Sequence, residues 1–144
     1  MSEERGKSEC EPFIWNVDGS EFLENGLRVP VVFKNPVSGK EVSVCALLDT
    51  GSNRTGIGLS LANKFGLEEV CETMIEGFGG SAGHQLFKGV LLVPGISLET
   101  CGRFVGLTVK GLDSVIGRDV LGFCELSYDG SIGKAMLRRT VRGR

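Results

Sequence analysis

The chain has 144 residues, enough for one domain with its own core, and its 41% hydrophobic and 24% charged residues are typical of a soluble globular protein. The formal net charge of −2 at pH 7 argues against a nucleic-acid partner for the chain as a whole. No stretch approaches the run of about 20 apolar residues that a membrane helix needs, and residues 1–11 lack the apolar core of a secretory signal. We therefore expect a cytoplasmic protein with no membrane partner.

Cysteine and histidine are too few and too scattered for a metal site or a disulfide framework. The five cysteines are odd in number and contain no C-x-x-C pair, and His84 is the single histidine. The chain also contains no P-loop and no glycine fingerprint for a dinucleotide. We therefore expect no cofactor and no metal. We interpret Cys45, Cys71 and Cys124 as small buried apolar residues rather than as nucleophiles.

The distribution of glycine predicts a mainly β domain. The 22 glycines separate short Val/Ile/Leu/Phe runs, with only four prolines, and this pattern is typical of strands joined by turns. The predicted strands, in chain order, cover residues 13–17, 27–34, 41–48, 70–76, 84–94, 105–109, 114–116 and 134–137. The predicted helices cover residues 60–65, with Gly66 at the C-cap position, and residues 118–123.

The second and third strands should form a hairpin, because residues 35–40 between them have the composition of a turn. Pro30 must then lie at a sheet edge or near the start of its strand, since it has no N–H to donate. For the chain as a whole we expect a flexible tail over residues 1–11, one domain over 12–137, and a basic tail over 138–144.

Asp49 lies where a buried strand is predicted to end. Apolar residues precede it, and Thr50, Gly51 and Ser52 follow it in a pattern that favours a tight turn. A carboxylate in such a place costs free energy unless donors stabilise it. Asp49 is therefore either a structural residue that caps its own turn or a catalytic acid. The nearest acid in sequence is Glu41, and one aspartate cannot be general acid and general base at the same moment.

Three segments, in order, carry a resemblance to a known family. They are Leu-Leu-Asp-Thr-Gly-Ser at residues 47–52, the glycine-rich stretch at 76–83, and Val-Ile-Gly-Arg-Asp-Val-Leu at 115–121. This order resembles the retropepsin-like aspartic proteases, which have an Asp-Thr/Ser-Gly turn, a flap hairpin and an apolar Gly-Arg-Asp/Asn corner. The resemblance covers residues 27–137. It implies an all-β fold, a closed acid-protease barrel with one or two short helices.

The resemblance also implies where the missing acid comes from. The chain has one Asp-Thr-Gly turn, so two copies must each supply one Asp49, and the active form is a homodimer. The implied activity is that of an aspartic endopeptidase, acting on a peptide or protein substrate through a water bound between the two carboxylates. In this scheme Thr50 bonds across the two-fold axis, Gly51 permits close approach of the backbone, and Ser52 bonds the outer oxygen of Asp49.

Two further groups of residues acquire roles from the resemblance. The flap, which would cover and bind the substrate, consists of Gly77, Phe78, Gly79 and Gly80. The structural corner consists of Ile116, Gly117 and Arg118. It would pack beneath the turn at residues 49–52, which we call the active turn. We expect the Arg118 guanidinium to make either a buried ion pair or a contact with a carbonyl.

Two other functions remain open on the sequence. One is a non-catalytic module in which the same barrel binds peptides or dimerises a partner. A cysteine hydrolase would need His84 together with Cys45 or Cys71, and we consider it the weaker of the two because a strand histidine is more often a surface residue.

Overall fold

The computed structural model describes residues 11–77 and 80–140, and it describes the backbone but not the side chains of residues 71–77 and 80–84. In this part of the chain there are ten strands, three short α-helices and one 3-10 turn. In chain order they are β1 (Phe13–Asn16), α1 (Gly19–Asn25), β2 (Arg28–Lys34), β3 (Glu41–Leu48), β4 (Gly56–Gly58), α2 (Leu59–Lys64), β5 (Glu68–Gly77), β6 (Gly80–Val93), the 3-10 turn (Pro94–Ile96), β7 (Leu98–Leu107), β8 (Ser114–Ile116), α3 (Arg118–Leu121), β9 (Cys124–Asp129) and β10 (Lys134–Arg139).

Six strands close into a barrel. They are hydrogen-bonded in the order β2-β3-β8-β4-β7-β6, and β6 returns to β2 through residues Val32 to Lys34. Strand β5 pairs with the first part of β6, residues 80–88, and stands outside the ring. The prediction of an all-β closed barrel is therefore confirmed. The described residues form one short α-helix more than the one or two expected.

The barrel core follows the two-residue period of its strands. In β2, Val29, Val31 and Phe33 are buried while the residues between them are not. The rings of Phe33 and Phe104 meet edge to face, with centroids 5.2 Å apart. Pro30 lies near the start of β2, where β3 is the one neighbouring strand, because β6 pairs only with the last three residues of β2.

A second sheet joins the two ends of the described chain in the order β1-β10-β9. Its β1 strand is attached to the barrel by Trp15, whose Nε1 donates to the carbonyl oxygen of Arg28 at 2.6 Å. Strand β10 runs to Arg139, and Arg138 forms an ion pair with Glu125. The sheet thus continues two residues beyond the predicted end of the domain at residue 137.

Helix α1 was not predicted, although its start signal is present in the sequence. The carboxylate of Asp18 accepts bonds from the Glu21 N–H and the Ser20 hydroxyl, both at 2.8 Å, and these bonds lower the pKa of Asp18. Asp18 with an acid three residues later is a typical N-cap pattern. The helix ends at Gly26, whose φ of 65° suits glycine. Helix α1 leads directly into β2.

Candidate active site

Asp49 directly follows the last residue of β3, beside strand β8 of the barrel. The end of β3 runs parallel to β8, with Leu48 opposite Ile116. The Asp49 N–H continues this pairing by donating to the carbonyl oxygen of Ile116 at 2.9 Å. The side chain of Asp49 is half-buried. The strand end therefore fixes the position of the carboxylate through its backbone.

The turn after Asp49 closes on the carboxylate itself. The Gly51 N–H donates to Oδ1 of Asp49 at 2.9 Å, and the Ser52 N–H donates to the Asp49 carbonyl oxygen at 3.1 Å. A Cβ on Gly51 would stand 3.1 Å from Oδ1, so the turn has little room for a side chain there. Within the described residues, Oδ2 of Asp49 accepts no hydrogen bond. One oxygen of Asp49 caps the turn, and the other remains available.

Ser52 does not have the partner that we expected. Its hydroxyl donates to the carbonyl oxygen of Arg54 at 2.7 Å rather than to the carboxylate of Asp49. The reason is local, because the turn brings the carbonyl two residues ahead within reach of the short side chain. Ser52 therefore stabilises the path of the chain after the turn.

Arg118 connects the corner to the active turn. Its backbone N–H donates to the Ser52 carbonyl oxygen at 2.8 Å. Its side-chain Nη1 donates to the Thr50 carbonyl oxygen, also at 2.8 Å. Of the two contacts expected for Arg118, the structure has the one with a carbonyl. The guanidinium is exposed rather than buried. The Thr50 side chain is exposed as well, beside this contact.

Gly117 allows the corner to lie directly against the chain that follows the active turn. A Cβ at this position would stand 2.6 Å from the carbonyl carbon and oxygen of Arg54. Real Cβ atoms do not approach backbone atoms so closely, so only glycine fits without a shift of the chain. The neighbouring Ile116 is almost fully buried at 2% exposure. Ile116 therefore lies beside the end of β3, and Gly117 lies against the chain that follows the active turn.

Two residues that the sequence did not single out as site residues hold this corner together. The fully buried Thr55 donates from its N–H and its hydroxyl to the carboxylate of Asp119, at 3.0 and 2.8 Å. The same hydroxyl accepts the Gly117 N–H at 3.1 Å. Asp119 also accepts the Val120 N–H at 2.9 Å. Asp119 and Thr55 are 64 residues apart in the sequence. A single sequence does not indicate a hydrogen bond between residues so far apart.

The predicted flap lies on the β5–β6 hairpin. Gly77 and Gly80 are paired at the end of the two strands, and Phe78 and Gly79 lie outside the described residues. Strand β6 pairs with β7 only from Leu86 onward. Among the described strands, β5 is therefore the one that pairs with the backbone of residues 80–85.

Two of the described cysteines bear on the expectation that the thiols are buried apolar residues. Contrary to our expectation, Cys45 is exposed, on β3 opposite Pro30. Burial raises the pKa of Cys124 to about 11, although Arg139 acts in the opposite direction, so this thiol is protonated at neutral pH. The side chains of Cys71 and His84 lie outside the described set.

The described residues contain neither a candidate metal site nor a membrane-spanning helix. No three of their His, Cys, Asp and Glu side chains gather in a way that could hold a metal ion. No helix in the same part of the chain is long and apolar enough to cross a bilayer.

The fold is similar to that of several solved structures. The retropepsin-like aspartic protease from Rickettsia conorii is 12% identical, with a TM-score of 0.52 over 88% of this chain and 89% of that chain. The retroviral protease-like domain of Ddi1 from Leishmania major is 18% identical, with a TM-score of 0.47 over 72% of this chain and 80% of that chain. EIAV protease, solved with an inhibitor, is 18% identical, with a TM-score of 0.45 over 67% of this chain and 85% of that chain.

The sequence matches no protein-family model and no curated protein. The shared architecture is therefore visible in the backbone rather than in overall sequence identity. With its closed six-stranded barrel and its likeness to the rickettsial structure, this chain has a retropepsin-like fold.

Proposed function

We propose that the chain is an aspartic endopeptidase that is active as a homodimer, with one Asp49 from each subunit. The observation that carries the proposal is the position of Asp49 in a retropepsin-like fold: a half-buried carboxylate in a turn, with one oxygen unused. A single carboxylate lacks the partner that acid–base catalysis requires. A two-fold axis beside Asp49 supplies an identical one.

The chemistry follows from two carboxylates held close together. At a separation of about 3 Å they cannot both ionise, so they share one proton. The ionised carboxylate takes a proton from a water molecule bound between them, and the protonated one donates to the scissile carbonyl oxygen. The water then attacks the carbonyl carbon directly. Because the pair titrates as a unit, we expect a bell-shaped pH profile of activity with an acidic optimum.

The surrounding residues support this chemistry in the proposal. The bond from Gly51 N–H to Oδ1 holds the carboxylate of Asp49 in place within its turn. The Thr50 side chain is exposed, so its hydroxyl is available for a bond to the partner subunit's turn. The flap, over residues 77–80, closes on an extended peptide and excludes water from the dyad.

Replacing Asp49 with Asn tests the proposal. We expect kcat to fall by at least about 10³-fold, because the amide cannot act as a base. The fold should persist, since Oδ1 of asparagine still accepts the Gly51 N–H. Asp129→Asn is the matched control, as Asp129 lies on β9 in the other sheet, and it should retain full activity. Cleavage of a broad peptide library is the measurement, at about pH 3.5 to 6, where a dyad holds one proton.

Two results would overturn the proposal. Full activity of the Asp49→Asn variant would show that another group performs the chemistry. No cleavage of any peptide by the wild-type protein, together with saturable peptide binding, would favour the non-catalytic binding module.

A further inference from the structure

A groove lies on the barrel surface apart from Asp49. Its two adjoining cavities, of about 560 and 280 Å³, share Pro36 and Lys88 as lining residues. The β2–β3 turn and the end of α2 line the larger cavity, and strands β6 and β7 line the smaller one. We call this surface the Pro36 groove. Asp49 lines neither cavity.

The Pro36 groove is strongly cationic in a chain whose net charge is −2. Four exposed cations line it, and Glu68 is the one acid among the lining residues; the cations are Lys40, Lys64, Lys88 and Arg103. None of these four has an ion-pair partner within 4.0 Å among the described residues. The groove therefore has positive charge that the described chain leaves largely uncompensated.

Two of the cations lie directly opposite each other on neighbouring strands. Lys88 of β6 is in register with Arg103 of β7, and Glu68 of β5 faces Lys88 from the other side. Like charges in directly opposite positions destabilise a sheet. An anionic ligand between Lys88 and Arg103 would relieve this repulsion.

The groove also presents apolar surface on a rigid wall. Val37, at its rim, is 88% exposed. The adjacent Asn35 is buried, and its Nδ2 donates to the carbonyl oxygens of Phe65 and Gly66, both at 3.1 Å. Its Oδ1 accepts the Val37 N–H at 2.9 Å. These bonds fix the turn to the end of α2, so a ligand would not have to order the wall.

We propose that the Pro36 groove binds an acidic segment of a protein partner, with apolar side chains of that segment on Val37 and Phe65. Charge complementarity selects the acidic character, and the two cavities in series suit an extended chain rather than a single small anion. The apolar surface of Val37 and Phe65 favours a peptide over a phosphate backbone, because phosphate groups make no apolar contact. The proposal concerns binding alone and does not depend on the catalytic role of Asp49.

The test is a titration of the full-length wild-type protein with a fluorescent peptide, followed by anisotropy at about pH 7.5 and at low salt, which screens surface charges least. The probe is a fluorescein-labelled peptide of about ten residues that alternates glutamate and leucine. One matched peptide has glutamine in place of glutamate, and another has serine in place of leucine. We expect saturable binding of the first peptide, and binding at least about tenfold weaker for the glutamine peptide.

Variants then locate the binding site. The double variant Lys64→Gln/Lys88→Gln should weaken binding of the glutamate–leucine peptide at least about tenfold, whereas Lys134→Gln, on β10 of the other sheet, should leave it unchanged. Val37→Ser should weaken the same peptide about threefold and leave the serine peptide unaffected, because it removes only apolar contact. Neutral glutamine is used so that no new repulsion with Glu68 disturbs the fold, and an unchanged thermal unfolding midpoint confirms this.

Several results would overturn the proposal. One is the absence of saturable binding up to about 1 mM peptide. Another is equal binding by the double variant and by Lys134→Gln. A third is that inorganic phosphate or a single-stranded oligonucleotide displaces the labelled peptide as effectively as unlabelled peptide does. That result would show that the groove is a general anion site.

Discussion

The active turn with its corner and the β5–β6 hairpin are built in opposite ways. The corner is held by hydrogen bonds between residues far apart in sequence: 62 residues for Gly117 to Thr55, and 68 for Arg118 to Thr50. In the hairpin, the backbone of residues 80–85 pairs with β5, the strand that immediately precedes it, and with no other strand that the structure describes. The chain thus uses long-range bonds around Asp49 and local ones in the segment that would cover it.

This difference has a consequence for how the two regions move. Breaking a long-range contact around Thr55 exposes buried groups and disturbs several elements at once. Opening the pairing of residues 80–85 with β5 leaves the described pairings of the barrel intact. Low-stability segments are the usual source of lids and flaps. The contrast therefore supports the proposed roles of Asp49 as a fixed acid and of residues 77–80 as a flap.

The largest effect is expected from removing the Thr55 hydroxyl. Thr55→Val keeps the shape of the side chain but leaves the Gly117 N–H without its acceptor and removes a bond to Asp119. Because the site is fully buried, the free energy of unfolding should fall by about 2–3 kcal/mol in urea denaturation.

The control for Thr55 is Thr100→Val. The Thr100 hydroxyl makes a single bond of 3.3 Å at an exposed site, so its loss should change the free energy of unfolding by less than about 0.5 kcal/mol. Equal stability of the two variants would contradict the role given to the Thr55 network.

A somewhat smaller effect is expected at Gly117. The Cβ of Gly117→Ala would stand 2.6 Å from the Arg54 backbone, while the φ of −97° is one that alanine adopts readily. The cost is therefore steric, about 1–3 kcal/mol in the free energy of unfolding. Gly19→Ala is the control, because nothing lies within 4 Å of a Cβ there. Both variants are compared by urea denaturation, and a Gly117→Ala protein as stable as Gly19→Ala would refute the close approach.

Hydrogen exchange compares the two regions directly. We expect the amides of Asp49 and Arg118 to exchange at least about 100-fold more slowly than those of residues 80–85, because local opening of a two-stranded ribbon costs less than opening of the corner. Mass spectrometry of peptic fragments after timed exposure to deuterated buffer provides the measurement. Equal protection of both regions would remove the contrast on which the moving cover depends.

Much of the fold was predictable because its signals are local. The bounds of β3 were predicted to the residue, since an apolar run lies between a turn and the Asp-Thr-Gly motif. Helix α2 was predicted within one residue at each end, and Gly66 has the positive φ of 69° expected of a cap. The barrel class followed from the order of three motifs.

What could not be predicted depends on partners that are distant in sequence. Nothing near Thr55 indicates that Asp119 accepts its hydrogen bonds, because the two meet only when the barrel closes. The exposure of Cys45 follows from its orientation on β3, which an unbroken apolar run does not reveal. Helix α1 is the exception, because its start was predictable from nearby residues. Asp18 followed by Glu21 three residues later is a helix N-cap pattern, and our prediction overlooked it.

The central claim is that one Asp49 is half of an active site, and a subunit-mixing experiment tests it most directly. Wild-type protein is denatured and refolded with a ninefold excess of the Asp49→Asn variant, and peptide cleavage is measured per wild-type subunit. If each site needs both aspartates, random pairing leaves only about one wild-type subunit in ten with a wild-type partner. Activity per wild-type subunit should then fall to about one tenth. Unchanged activity per wild-type subunit would show that a single Asp49 suffices and would contradict the shared site.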